Sequence, residues 1–294
     1  MSGIVLPSFP PYFMLETTRL CNAKCVHCPN KGIEKTTPFL SDALFEKIAM
    51  ELGHHSQEIT QVAIFINGEP LLDKKLPERI QRLKELGVPR VIFSTNGSLL
   101  DETAARRILE AGLDDLDITL NSMDAAKYEA IRVGLKHAVV VANIHNFLRL
   151  RDAIRPTCTV RVRTEAHPLL TKEDIDTWLA YWRRHVGPND SVYAKKMHNW
   201  GNQMPEAVES SSQTSAPCPI LWSTFNISTN GDVGICCLDY RPNHLLGNVG
   251  ENTIEEIWHG EAYAAIREKH AIGRRDAVPM CRNCSIWDDD QKIF

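Results

Sequence analysis

The sequence predicts an α/β fold: a partial parallel barrel of six β/α units, followed by a small C-terminal domain. Three observations lead there. From residue 14 to residue 197, short apolar runs alternate with stretches of helical period, the pattern of parallel strands joined by right-handed crossovers. Six such units fall short of the eight that close a full barrel. Past residue 200 the rhythm stops, and a hairpin signal with a fresh set of cysteines takes over.

Met14–Leu20 reads as the first strand and runs directly into Cys21-Asn22-Ala23-Lys24-Cys25-Val26-His27-Cys28. A helix starts near Ser41, whose hydroxyl suits an N-cap. Gln61–Ile66 is the second strand and ends at Asn67-Gly68-Glu69-Pro70. Lys74–Leu86 has helical period and stops at Gly87. Arg90–Ser94 is the third strand, entering Thr95-Asn96-Gly97; Asp101–Ala111 is the next helix, ended by Gly112. Leu116–Leu120, the fourth strand, leads to Asn121-Ser122. Helices over Tyr128–Ile131 and Ala138–Ala153, strand Thr157–Thr164, helix Lys172–His185 and strand Ser191–Met197 complete the series. Every polar segment singled out so far follows a strand, where barrels gather their functional groups.

Asn199–Ala216 is polar, Ser-rich and patternless, so it reads as a linker or lid. Thr224–Ser228 and Val233–Cys237 flank Asn230-Gly231, a strong hairpin signal. Asn252–His270 is helical, and Met280–Cys284 follows. The expected domains are residues 1–200, the barrel; 201–216, the linker; and 217–294, the C-terminal domain.

Composition narrows the function. Hydrophobic residues make up 43% of the 294 and charged ones 24%, with a net charge of −4 and no basic run. A nucleic-acid or anionic-membrane partner is therefore not expected. Met1–Pro11 lacks the basic start of a signal peptide, and no apolar run reaches the roughly 18 residues of a spanning helix. A cytoplasmic location follows as the expectation. Nine cysteines are many for such a chain, and there metal binding is the more natural use than disulfides.

Cys21, Cys25 and Cys28 lie within eight residues with no nearby fourth thiol, which leaves one corner of a metal centre open. A zinc knuckle completed by His27 uses the same residues. The C-x3-C-x2-C loop resembles that of the radical S-adenosylmethionine (SAM) superfamily. The resemblance implies a [4Fe–4S] cluster on these three thiols, with SAM on the uncovered iron. It extends along the chain. Asn67-Gly68-Glu69-Pro70 is similar to the family's GGEP segment that holds the SAM amino group. Ser94-Thr95-Asn96-Gly97 looks like the segment lining ribose and adenine. Asn121 and Ser122, with Tyr128 and Arg132, resemble elements near the SAM carboxylate. His27 stands where an aromatic is usual, implying packing over the adenine or an orienting hydrogen bond.

Cys218, Gly231, Cys236 and the pair Cys281-x-x-Cys284 resemble the SPASM/twitch extensions, which carry an auxiliary [4Fe–4S] cluster. No cysteine follows Cys284, as in the shorter, one-cluster twitch form (hairpin plus helix). A four-cysteine zinc ribbon would use the same thiols. Cys237 follows Cys236, and neighbours on a strand face opposite ways, so one binds iron and the other is free to face a substrate. Cys158 is expected in the core.

Among relatives, the resemblance points to twitch enzymes of aminoglycoside and aminocyclitol pathways. It implies a 5′-deoxyadenosyl radical, a small polyhydroxylated substrate and an external one-electron donor such as flavodoxin or ferredoxin. Two outcomes are open: epimerisation with Cys237 as hydrogen donor, the preferred expectation, or dehydrogenation through the auxiliary cluster. Peptide modification, less favoured, would call for a peptide-binding segment ahead of the first strand, where only about thirteen residues stand. Arg161, Arg163, Glu165, His198 and Asp239 are the candidate substrate contacts.

Overall fold

The computed structural model describes residues 5–32, 35–204, 216–240 and 244–288. The strands are β1 (Tyr12–Leu15), β2 (Gln61–Ala63), β3 (Val91–Thr95), β4 (Asp115–Thr119), β5 (Thr159–Glu165) and β6 (Ser191–Lys195). The helices between them are α1 (Asp42–His54), α2 (Leu76–Glu85), α3 (Glu102–Glu110), α4 (Ala125–Ile131), α5 (His137–Ile154) and α6 (Lys172–Arg183). Side-chain caps start them where expected: Ser41 accepts from the Leu44 amide and Asp101 from the Ala104 amide. Gly87 and Gly112 end α2 and α3 with φ of 84° and 98°, a conformation that costs glycine little.

Strands β1 to β6 pair in parallel and in sequence order. On β4 and β5, Leu116, Ile118, Val160 and Val162 turn outward into the main core under the helices. By alternation Asp115, Asp117, Arg161, Arg163 and Glu165 face the concave side. The register sets Asp117 beside Arg161, Arg163 beside Tyr193, and Glu165 beside Lys195. A charged lattice therefore lines the inside of this partial barrel.

The C-terminal part departs from expectation in its attachment. Strand β7 (Thr224–Ile227) pairs in parallel with β1, and β8 (Asp232–Gly234) and β9 (Leu245–Asn248) follow antiparallel. One nine-stranded sheet of order β6-β5-β4-β3-β2-β1-β7-β8-β9 results. The helix expected over Asn252–His270 is two, α7 (Ile254–Trp258) and α8 (Glu261–Ala271). The break is at Gly260, where a Cβ would stand 3.0 Å from the Glu256 carbonyl oxygen. Most of the expected linker lies outside the described residues, but Asn199–Met204 is folded. The Asn199 side chain bonds Asn283 O and the Ser285 amide, tying the exit of β6 to the C-terminal cysteine segment. No helix among the described residues is long and apolar enough to cross a membrane.

Candidate functional site

The N-terminal cysteine loop is laced to the end of α4: the Lys24 and Val26 amides donate to Val133 O and Ile131 O at 2.8 and 3.1 Å. Arg132, at the C-cap of α4, is thereby brought under the loop, with Nη1 3.3 Å from Cys25 Sγ and Nε 2.5 Å from Asn121 Oδ1. Burial pushes the Cys28 thiol up to about 11 and raises Cys21 as well. Their protons have to be displaced before any metal is held.

The strand exits interlock around this loop. Glu69 is buried and accepts from Thr95 Oγ1 (2.7 Å), the Leu71 amide (3.2 Å) and the Asn96 amide (2.8 Å). Its carboxyl is raised by burial, against those donors. Pro70 opens the 3-10 turn that Glu69 caps. At Gly68 a Cβ would lie 2.0 Å from Thr18 O and 2.8 Å from Leu20 O, so only glycine fits this backbone approach. Asn67 bonds Glu16 through its amide and Nδ2. Asn96 Nδ2 reaches Asn22 Oδ1, inside the cysteine loop, at 2.9 Å. Ser94 Oγ accepts from Arg163, while Ser122 Oγ accepts from the Asp124 amide. Tyr128 is fully buried.

The mouth of the barrel holds a cavity of about 570 Å³. Its apolar side includes Met14, Phe65, Ile92 and Leu238; its polar side includes Asp117, Arg161, Arg163, Glu165, Tyr193, Lys195 and His198. Glu165 lies 2.9 Å from His27 Nε2, 3.3 Å from Lys195 Nζ and 3.8 Å from Arg132. Burial would raise its carboxyl, but Lys195, His27 and Arg132 hold it well below the usual range. His27 thus sits against the Glu165 carboxylate. Burial and then the charge of Lys195 lower His198 to about 3, so it is neutral. Lys195 itself is drawn below the usual lysine range by burial, then by Arg163.

Both arginines expected as substrate contacts line this cavity, and each is also paired with an aspartate. Arg163 Nε lies 2.9 Å from Asp117 Oδ1, and Arg161 pairs with Asp115 at 2.8 Å. Asp239, by contrast, is buried, its amide donates to Cys236 O, and it is not among the residues lining this cavity. Asp117, Tyr193 and Lys195 were missed. Their signal was the two-residue spacing in Asp115-x-Asp117 and Tyr193-x-Lys195, in phase with Arg161-x-Arg163-x-Glu165.

Of the C-terminal thiols, one reaches this cavity. Cys237 lines the wall, packed with Met14, Ala63 and Ile92. Cys236 does not line it, and feels the charges of Cys237, Cys281 and Cys284. Burial pushes Cys218 and Cys281 to about 12 and Cys237 to about 11. Cys158 is buried in the core, 1% exposed.

A family model described as the radical SAM superfamily matches residues 15–182, more than half of the chain. The chain belongs to the radical SAM superfamily. A second model, an iron–sulfur cluster-binding domain named SPASM, matches residues 218–285. Together they bring SAM and two [4Fe–4S] clusters as cofactors, and the two thiol sets are donors of the kind such clusters take. This radical SAM protein is 23% identical, over 92% of its length and 91% of the relative, to an S-adenosyl-L-methionine-dependent 2-deoxy-scyllo-inosamine dehydrogenase of Niallia circulans. It is 36% identical to a probable GTP 3′,8-cyclase of Sulfolobus acidocaldarius, but over 39% of the chain and only 35% of that protein. Among solved structures it resembles BtrN in complex with AdoMet and 2-DOIA, with TM-score 0.64, 20% identity, and 94% and 93% of the two chains covered. Streptococcus suis SuiB bound to its precursor peptide SuiA gives 0.65 at 15% identity, covering 89% and 67%. At these identities the structures speak for the fold, a partial radical SAM barrel with a C-terminal SPASM domain.

Proposed function

We propose that this radical SAM enzyme is a dehydrogenase that oxidises a secondary alcohol of a small polyhydroxylated substrate, an aminocyclitol or sugar. The observation that carries the reading is that one cavity is lined both by Glu165, 2.9 Å from His27 of the N-terminal cysteine loop, and by Cys237, which follows Cys236 of the C-terminal thiol set. Similarity to a dehydrogenase along nearly the whole chain supports it. It replaces the epimerisation favoured from sequence, and Cys237 becomes a wall residue rather than a hydrogen donor.

In this reading Cys21, Cys25 and Cys28 hold the first cluster, and Cys218, Cys236, Cys281 and Cys284 the second. The segments Asn67–Pro70, Ser94–Asn96 and Asn121–Ser122, with His27 and Arg132, surround SAM. Domains of 1–200 and 217–294 fit this division of labour, although one sheet runs through both.

Turning an alcohol into a ketone removes a hydrogen atom from carbon, a proton from oxygen and an electron. The bound cofactors supply hydrogen-atom abstraction and a one-electron acceptor; an external donor such as flavodoxin or ferredoxin starts the cycle. The proton falls to the chain. Among the described cavity side chains, the arginines stay charged, Asp117 is paired with Arg163, Glu165 is held ionised well below the usual carboxylate range, and His198 is a very weak base. Lys195 Nζ, paired with Glu165 yet made less basic than usual by burial, is the group assigned to accept the hydroxyl proton. Tyr193 and Arg163 are placed to orient the hydroxyls, and the apolar side keeps water away.

The test is product analysis under anaerobic turnover with candidate alcohols. A product two mass units lighter, with no deuterium taken from heavy water, is expected. A product of unchanged mass in ordinary water, and one unit heavier with a carbon-bound deuterium after turnover in heavy water, would overturn dehydrogenation in favour of epimerisation.

A further inference from the structure

Asn226 is a buried amide whose side chain has no hydrogen-bond partner among the described residues. It sits on β7, whose Phe225 and Ile227 point into the main core. Asn226 therefore faces the other side, between Met14 of β1 and Gly234 of β8 in the register. It is only 2% exposed, yet neither Nδ2 nor Oδ1 has a hydrogen-bond partner among the described residues. Leaving such a group unsatisfied costs on the order of 1–3 kcal/mol, and each buried orphan in a native fold calls for an explanation.

A second observation sits beside it. Gly234 is buried, but a Cβ built there would meet no atom within 4 Å. Interiors are close-packed, so this gap is room for something that is not this chain. Thiols border the same region. Cys236 follows Gly234 by two residues, and Cys237 packs against Met14, the other register neighbour of Asn226. Tyr263, which feels the charge of Cys236, donates its hydroxyl to Thr224 O two residues from Asn226. The orphaned amide and the gap therefore share a wall with the C-terminal thiol set.

We propose that the Asn226 carboxamide donates an N–H hydrogen bond to a sulfur of the auxiliary cluster, and thereby sets its reduction potential. An N–H aimed at sulfur favours the more negative, reduced state, so hydrogen bonds to the sulfurs raise the potential. Asn226 is a positioning and tuning residue in this scheme, independent of whether the product is a ketone or an epimer. It rests on the assignment of Cys218, Cys236, Cys281 and Cys284 above.

The experiment uses the full chain with Cys21, Cys25 and Cys28 all changed to alanine, reconstituted anaerobically, so that only the auxiliary site loads. Potentiometric titration followed by electron paramagnetic resonance compares it with the same protein carrying Asn226→Leu. The expected result is one cluster in each, with a more negative potential in the leucine variant. Equal potentials at equal iron content would overturn the role of Asn226. A parent protein that takes up no iron would instead remove the ligand assignment, and the tuning role with it. Should the leucine variant fail to load, the parent labelled with ¹⁵N-asparagine still decides: an asparagine nitrogen coupling on the reduced cluster is expected, and its absence would refute the bond.

Discussion

Arg163→Met tests whether the charged lattice inside the barrel is a structural pair as well as a cavity wall. Arg163 and Asp117 are 20% and 9% exposed and lie 2.9 Å apart. Methionine keeps most of the packing volume but strands Asp117. Breaking a buried pair from one side costs about 3–5 kcal/mol. Tyr193 Oη at 3.4 Å and Arg161 Nε at 3.9 Å remain near Asp117, so the lower figure, about 3 kcal/mol, is expected. For a chain of this size that corresponds to a fall in midpoint of roughly 6–12 °C. Adding Asp117→Asn removes the stranded charge and should restore about 2 kcal/mol, within the usual range for contacting residues. The assay is thermal unfolding of four anaerobic holoproteins at one scan rate, with substrate KM and substrate-free SAM cleavage measured alongside. KM should rise in the single variant while substrate-free SAM cleavage holds. A single variant within about 0.5 kcal/mol of wild type, as for a surface site, would refute the reasoning. So would a double variant no more stable than the single.

Three further outcomes follow from the geometry. In Lys195→Met, SAM cleavage should persist while alcohol oxidation falls at least about 100-fold; wild-type kcat/KM should rise with pH to a plateau as the amine deprotonates, and Lys195→Arg should lack that limb in a pH–rate profile. Gly68→Ala forces backbone apart at Thr18 O and should weaken SAM binding about 100-fold by equilibrium binding, whereas Gly53→Ala, which meets only the Leu86 side chain at 3.1 Å, should not. His198 has a folded value of about 3 against an ordinary 6.5, so the unfolded chain takes up its proton first as pH falls. Its stabilisation is complete above about pH 6.5 and is lost toward pH 3, with about 2 kcal/mol gone by pH 5; denaturant midpoints of wild type and His198→Gln should converge over that range.

The strand–helix alternation was readable because each period is local, and Ser41, Asp101, Gly87 and Gly112 marked helix ends by their own chemistry. Long-range pairing was not readable. Nothing near Tyr12 announces that it will lie beside Thr224, since that choice is made by the sheet as a whole. The strand β9 was missed because Leu245–Asn248 is four residues with a glycine inside. Among site residues, the cysteine sets and the strand-exit tetrapeptides stood out as clustered residue types. Lys195 did not, because one lysine on a strand carries no pattern until Glu165 is set beside it. The pairing of Arg161 and Arg163 was hidden for the same reason: their partners Asp115 and Asp117 lie more than forty positions earlier.

The adjacency of β1 and β7 also orders events in time. On a ribosome adding about 5–20 residues per second, Thr224 emerges roughly 10–40 s after Leu15. Throughout that interval one edge of the nascent barrel is bare, a template for wrong pairing between chains. Shortened proteins that stop before Thr224 keep that edge indefinitely, so they are expected to self-associate even when every residue of the N-terminal cysteine loop is intact.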